Sequence, residues 1–507
     1  MGALEAALSQ NPYLTRLPSP KPSVLSPTDL TLTTGTADIF RLSEVRNAIT
    51  GDFVVLPCDL VCELSGSTLL ETWMVMQGGF GGATGGNNSS YGKKMGLGGE
   101  GSGRRGGLSV WYQTKDGELG VGVKNEETDF LATTELAAPT VPPHAKSLRP
   151  FLGNVVMSMP TANLKDVIEE KKSLQIRYAL LRKFGKVRTL MSHRDAHLYF
   201  FPYWVKEFIE KNEEFESVGE DVLSWWAKAG WQDGLAKKLA LNEVLDNGRG
   251  EKTEQDDDSS EDIDIPSLSS TYAKRRPRLA STRKVFARRV RSQSKGSESS
   301  VDQPDLPVIV PPLLGYIHSS LSSQPLIRRT DTVPLLLSVS LRLARQFSQE
   351  EASASGSSPY PFSHAAKVAN SSPVPHRSTV TRFDTLIDAN VTLHEKISIK
   401  ESVIGTGCVI QSGARLTRCL LMDGAVVEEK AVLTGCVIGR RARIGREAEL
   451  RDCSVQEGFV VPAKAASKGE IFAGFDEGAA MDDEGDDDDE EEATNGNEDM
   501  IDGDDDF

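Results

Sequence analysis

Between Leu386 and Val461 the apolar residues recur with a period that neither a helix nor a half-buried strand produces. Ile387, Leu393 and Ile399 open the series, and Ile404, Ile410 and Leu416 continue it. Leu421, Val427 and Leu433 follow, then Ile438, Ile444 and Leu450, then Val455 and Val461. The steps run six, six, five, and the pattern then begins again. A helix spaces its apolar face by three and four, and a half-buried strand alternates. A step of about six with three steps to the turn predicts a parallel β-helix of hexapeptide repeats over 381–475. Two positions before the inward aliphatics runs a series of small side chains, among them Cys408, Ala414, Cys419, Ala425 and Cys436. A coil that turns at every sixth position has room beside a branched side chain only for a small one. Gly407, Gly413, Gly424 and Gly435 stand three before an inward position. A corner with positive φ is expected there, which glycine adopts cheaply.

The segment 1–242 carries a mixed pattern that predicts an α/β domain. Thr36 to Ile49 reads as a helix. Phe53 to Leu56 is a short continuous apolar run that suits a buried parallel strand. It ends at Pro57-Cys58-Asp59, and open α/β sheets place ligand contacts at the carboxyl ends of their strands. Leu69 to Met76 reads as a helix, and Leu108 to Thr114, Leu174 to Arg177 and Asp195 to Phe201 as strands. Trp204 to Lys211 follows as a helix. The segment 306–347 reads as the remainder of this domain, with strands near Val308 and Leu336. Between them, 243–305 reads as a disordered charged insert, and 348–380 is a Ser/Pro-rich linker into the repeat.

The stretch 78–107 holds 14 glycines and reads as a surface loop. The spacing of Gly96, Gly98 and Gly101 matches a dinucleotide-binding turn, yet no strand precedes it and no helix follows. Gly92-Lys93-Lys94 lacks the hydroxyl side chain of a P-loop. Trp225, Trp226 and Trp231 have the density of a packed helix. His193 and His197 would chelate one metal on a helix; on a strand they stand about 13 Å apart and do not.

Charge redraws the ends of the chain. The net charge is −16, but 476–507 holds 18 Asp or Glu and no Lys or Arg, so the rest is near neutral. That tail reads as disordered and solvating. Between Lys274 and Lys295 stand 10 Lys or Arg. No aromatic interleaving accompanies them, so direct nucleic-acid binding is not expected. Of the six cysteines, Cys419, Cys436 and Cys453 recur once per full repeat. Stacked in a line they fill a core rather than build a tetrahedral metal site. No secretory signal, membrane span or lipidation motif stands out, which places the chain in the cytosol.

Two segments carry a resemblance. Gly35-Thr36-Ala37 before a helix and Phe53 to Asp59 at a strand end resemble the sugar-nucleotidyltransferase fold, in which a strand-end Asp holds Mg²⁺. That Rossmann-like domain followed by a hexapeptide β-helix occurs in sugar-nucleotide pyrophosphorylases and in two subunits of eukaryotic translation initiation factor 2B. Leu56 to Val61, Gly81 to Gly86, Arg104 to Leu108 with Val110-Trp111-Tyr112, and Leu180 to Gly185 are similar to its gamma subunits. So are the strand Asp195 to Phe201 and the coil Ser402-Val403-Ile404-Gly405. The resemblance covers most of 10–242 and 306–476, and it implies that the β-helix is left-handed. It also marks a departure. Nothing before Gly35 supplies the family's first strand, its Gly-rich phosphate loop or its Lys-Pro helix, so the domain reads as incomplete at its N-terminus. Without that loop a triphosphate is not aligned for in-line attack. The resemblance therefore implies no enzyme, no cofactor and no catalytic or metal-holding residue, with Asp59 a vestigial metal or nucleotide position. It implies a non-catalytic subunit that partners the epsilon and other subunits of the exchange complex and supports GDP/GTP exchange on initiation factor 2. The alternative is a sugar-1-phosphate nucleotidyltransferase of the mannose-1-phosphate guanylyltransferase kind, or its regulatory homologue. An acyltransferase would need a catalytic His in the coils, where His394 is the single one and lies at the entry.

Overall fold

The computed structural model describes residues 2–10, 15, 22–77 except 32, 105–114, 123, 126–136, 142–144, 147–246, 310–318, 325–356 and 363–474. Of the glycine loop expected over 78–107, residues 78–104 lie outside the described residues, as do the insert from 247 and the acidic tail, and Gly107 already begins a strand. The chain divides into two compact units after Arg329. The α/β domain expected to reach 347 is thus divided: Leu313–His318 belongs to the first unit and Val333–Ala344 to the second.

The first unit is built on a six-stranded sheet. Its strands are β1 (Phe53–Val55), β3 (Gly107–Gln113), β4 (Asp129–Glu135), β5 (Leu152–Pro160), β6 (Arg188–Phe201) and β7 (Leu313–His318), in the order β1-β6-β3-β7-β5-β4. β2 (Leu60–Cys62) pairs separately with β8 (Ile327–Arg329). Among these strands only β3 and β7 run parallel. β6 is long enough to pair with β3 through its second half and with β4 through its first, with a register shift inside each pairing.

Several expectations are corrected here. Phe53 to Leu56 is not a buried parallel strand. β1 runs antiparallel to β6 at the sheet edge, leaving Val54 43% and Leu56 67% exposed. The helix expected over Thr36 to Ile49 is broken at Leu42 into a 3-10 turn, Asp38–Arg41, and a short helix, Ser43–Ala48. Leu174 to Arg177 forms no strand and leads into a helix, Tyr178–Lys183. The run around Leu336 is a helix because Pro334 suits its first turn and Leu335 and Val339 share a buried face. The expected linker holds the helix Gln349–Ser355, started by a reciprocal capping box between Ser348 and Glu351. Val308 lies outside the described residues.

Alternation along the strands sorts side chains onto two faces. Leu198, Phe200, Leu108 and Val110 meet Leu69 and Trp73 of the helix Gly66–Gln77 on one side. Tyr199, Phe201 and Trp111 meet Trp204 and Phe208 of the helix Trp204–Lys211, together with Trp226, on the other. Of the three tryptophans expected to pack, Trp226 and Trp231 are core residues, each indole N–H donating to a main-chain oxygen, of Pro311 and Val156 respectively, at 2.7 Å, whereas Trp225 is exposed. No helix among the described residues is long and apolar enough to cross a membrane.

The second unit is a solenoid of short parallel strands from Thr379–Val380 to Ile471–Phe472, stacked in three sheets. Each coil pairs with the next in the predicted register, as Ile404 with Leu421 and Leu421 with Ile438. All the predicted inward aliphatics are buried except Leu393, which is partly covered in the entry coil. The small series is buried too, including all four of its cysteines. Gly407, Gly413, Gly424 and Gly435 do take φ between 68° and 76°. The equivalent corners at Lys396, Arg418, Lys430 and Glu447 are left-handed as well, at 63°, 54°, 55° and 58°. A non-glycine side chain costs about 1–2 kcal/mol there. The burial of one aliphatic per corner, about 1.5–3 kcal/mol each, outweighs that cost.

A second glycine role is invisible to φ. A Cβ on Gly439 would lie 2.6 Å from the Glu457 nitrogen of the next coil. Gly439→Ala is expected to cost about 1–3 kcal/mol by forcing the coils apart. Thermal melting against Gly474→Ala, whose Cβ meets nothing within 4 Å, checks this; equal melting temperatures would remove the stacking argument.

Candidate functional site

Within the first unit, a cavity of about 600 Å³ opens where β4, the end of β5 and the bulged middle of β6 meet the π-turn Val218–Val222. Its polar core is built from side chains far apart in sequence. Asp195 and Tyr199 are four apart on β6 and share a face by strand alternation. The Tyr199 hydroxyl donates to Asp195 Oδ2 at 2.5 Å, and the His197 backbone N–H donates to Oδ1 at 3.0 Å. The Asp195 N–H in turn donates to Asp129 Oδ2 of β4 at 2.8 Å. His197 takes φ 51°, which turns the strand here, and its ring lies 3.4 Å from Arg329 Nη1. Gly219 leaves room for this cluster: a Cβ there would stand 3.1 Å from the Tyr199 hydroxyl.

Burial governs the protonation of the cluster. It raises the Asp195 carboxyl to about 7, against the opposing pull of the Tyr199 hydrogen bond, with the neighbouring Asp129 adding to the rise. Burial raises Asp129 as well, partly offset by the bond from the Asp195 amide. Tyr199 is held well above its usual range by burial and then by the Asp195 charge. The arrangement is a carboxyl group that exchanges its proton near neutrality, at the wall of a polar cavity. From about pH 4 to about pH 7 the folded chain keeps this proton and the unfolded chain has lost it. Stability therefore falls as pH rises through that window and levels off above it. Asp195→Asn is expected to flatten the dependence of Tm on pH between about 4 and 7. Unchanged slopes would locate the titration elsewhere.

Asp59, the site residue expected from sequence, sits in the turn between β1 and β2 and does not line this cavity. Its Oδ2 accepts from Arg329 Nε at 3.1 Å and Nη2 at 2.9 Å, across the β2–β8 ladder. A guanidinium therefore stands where a cation would approach, and this pairing does not fit a divalent metal. Among the described residues no three His, Cys, Asp or Glu cluster as a metal site. Asp59 is linked to the cavity through Arg329, which lines it. His193 and His197 do lie on one strand, and burial lowers His193 to about 4. The sequence reading missed Asp129, Asp195 and Arg329 as a group. Asp195 alone left a signal, as an acid on the buried face of an aromatic strand.

Residues 382–465 match the family model of the GMPPB C-terminal domain. That domain, a hexapeptide-repeat β-helix of the sugar-nucleotidyltransferase family, fits the solenoid of the second unit. The architecture, an α/β unit followed by a parallel β-helix, is consistent with a nucleotidyltransferase-like domain plus a β-helix. Solved structures similar to the chain include two mutant N-acetyltransferases. One is a mutant of perosamine N-acetyltransferase from Caulobacter crescentus in complex with CoA and GDP-perosamine, 20% identical, covering 20% of this chain and 52% of that one, with a TM-score of 0.15. The other is a second mutant described as GDP-perosamine N-acetyl transferase, from the same organism, 22% identical, covering 19% and 53%, with a TM-score of 0.13. The chain spans about half the length of these structures. No curated protein matches it.

Proposed function

We propose that the chain is a non-catalytic subunit of the translation initiation factor 2B guanine-nucleotide exchange complex. It assembles with an epsilon-type subunit in the cytosol and supports exchange on initiation factor 2. The observation that carries the non-catalytic part is the Asp59–Arg329 pair. At the position where a pyrophosphorylase needs a carboxylate free for Mg²⁺, the charge is neutralised from within the fold. The segments similar to the gamma subunits supply the rest. Purifying the tagged full chain from its native cells is expected to bring the other exchange-factor subunits with it. Recovery of the chain alone would overturn the proposal.

One observation favours a second reading, a sugar-1-phosphate nucleotidyltransferase of the mannose-1-phosphate guanylyltransferase kind or its regulatory homologue. It is the family match over the β-helix. Pyrophosphate-dependent cleavage of GDP-mannose by the purified full chain with Mg²⁺ would promote it, and no turnover is expected.

A further inference from the structure

The stretch 165–188 carries eight Lys or Arg against three acids, in a body that is otherwise near neutral. The helix Tyr178–Lys183 lies within this stretch. Its inner side is anchored, because Leu180 packs with Trp231 and Lys183 Nζ donates to the Gly230 carbonyl at the end of the helix Leu223–Ala229. Its outer side presents Tyr178, 77% exposed, with Leu181 and Arg182 three and four positions on, the spacing of one helical face. The neighbouring helix adds Trp225, 38% exposed, with Lys228 Nζ 4.8 Å from its ring centroid. Arg177 stands at the N-cap position of the first helix, with no side-chain capping bond. Burial lowers the pKa of Lys228, and the Arg177 charge adds to that fall. Among the described residues neither Arg177 nor Arg182 has a carboxylate ion-pair partner.

We propose that this surface binds single-stranded RNA, with Tyr178 and Trp225 stacking bases and Arg177, Arg182 and Lys228 facing phosphates. Exposed rings set among cations are the two elements of a single-strand platform, since every base offers a π-face and every nucleotide a charge. An acidic peptide would use the cations but has no need of a fully open tyrosine ring, and the charge excess selects a polyanion over a neutral partner. The basic stretch at 274–295 holds a single ring, Phe286, among its ten cations. The sequence predicts no direct nucleic-acid binding, on the strength of that stretch, and RNA binding at this face departs from that expectation.

The test is fluorescence anisotropy of a labelled uridine 15-mer with the full chain. The Lys and Arg side chains of 274–295 are changed to Gln throughout, to remove their salt-dependent background. Tyr178→Ala is expected to weaken binding about tenfold while Tyr178→Phe, which still stacks, retains it. Arg177→Glu with Arg182→Glu is expected to reduce the slope of log affinity against log salt by about 1. Circular dichroism confirms that these exposed-site variants fold. Absence of binding, or equal loss in Tyr178→Phe and Tyr178→Ala, overturns the proposal. So does polyglutamate of matched charge competing as well as unlabelled RNA, which would assign the surface to an acidic peptide.

Discussion

Ile438→Asp is expected to unfold its own coil and its neighbours while leaving the α/β unit intact. Ile438 is fully buried, stacked between Leu421 and Val455 in one parallel sheet. The substitution removes about 1.5–3 kcal/mol of apolar burial. It also places a carboxylate inside an apolar stack, at a cost of roughly several kcal/mol more. A solenoid couples each coil mainly to its neighbours, so the damage spreads along the stack rather than across the chain. Limited proteolysis with mass mapping is expected to cut first within the coils around 421–455. Ile438→Val, which removes one methylene, is expected to cost only about 0.5–1.5 kcal/mol and to stay resistant. A protease pattern for the Asp variant identical to that of the parent would mean that the side chain does not point inward.

Arg328→Ala is expected to destabilise the first unit by about 3–5 kcal/mol. The Arg328 and Glu126 side chains are 2% and 3% exposed, and Nη1 donates to both carboxylate oxygens at 3.1 Å. Nη2 donates to the Thr114 carbonyl at 2.9 Å, and the guanidinium lies 5.2 Å from the centre of the Tyr112 ring. Burial pushes the Tyr112 hydroxyl up to about 12, which keeps that ring neutral beside the pair. Removing the arginine leaves Glu126 charged and enclosed. Replacing both partners, Arg328→Met with Glu126→Leu, removes the pair without leaving a charge behind and is expected to lose far less. Chemical denaturation with an unchanged m-value separates the two variants. A double variant as unstable as the single one would show that packing, not the uncompensated charge, sets the loss.

The two units differ in how much of them the sequence discloses. The solenoid is legible down to individual side chains, from Ile399 to Val461, and its buried cysteines fill the stack as their spacing predicts. The glycine corners were only half legible, because the same left-handed turn is made at Arg418 and Glu447, where no glycine marks it. In the first unit the helix Trp204–Lys211 and the strands around Val110 and Phe200 were legible from composition and alternation. The edge position of β1 was not, since an apolar run of four reads the same at an edge as at a centre. The candidate site was the least legible part. Asp59 drew attention through its place after a strand, but Arg329, far along the chain on β8, decides what its carboxylate does.

The β-helix could be read from the chain unaided because its contacts join each position to its equivalent in the next coil. Such a fold repeats its own instructions in a local period. The chemistry of the first unit had no such record. Asp129, Asp195 and Arg329 arrive from β4, β6 and β8, and meet only once the sheet and the β2–β8 ladder have formed. Their protonation then follows from desolvation, which depends on everything packed around them and on no pattern within any one segment.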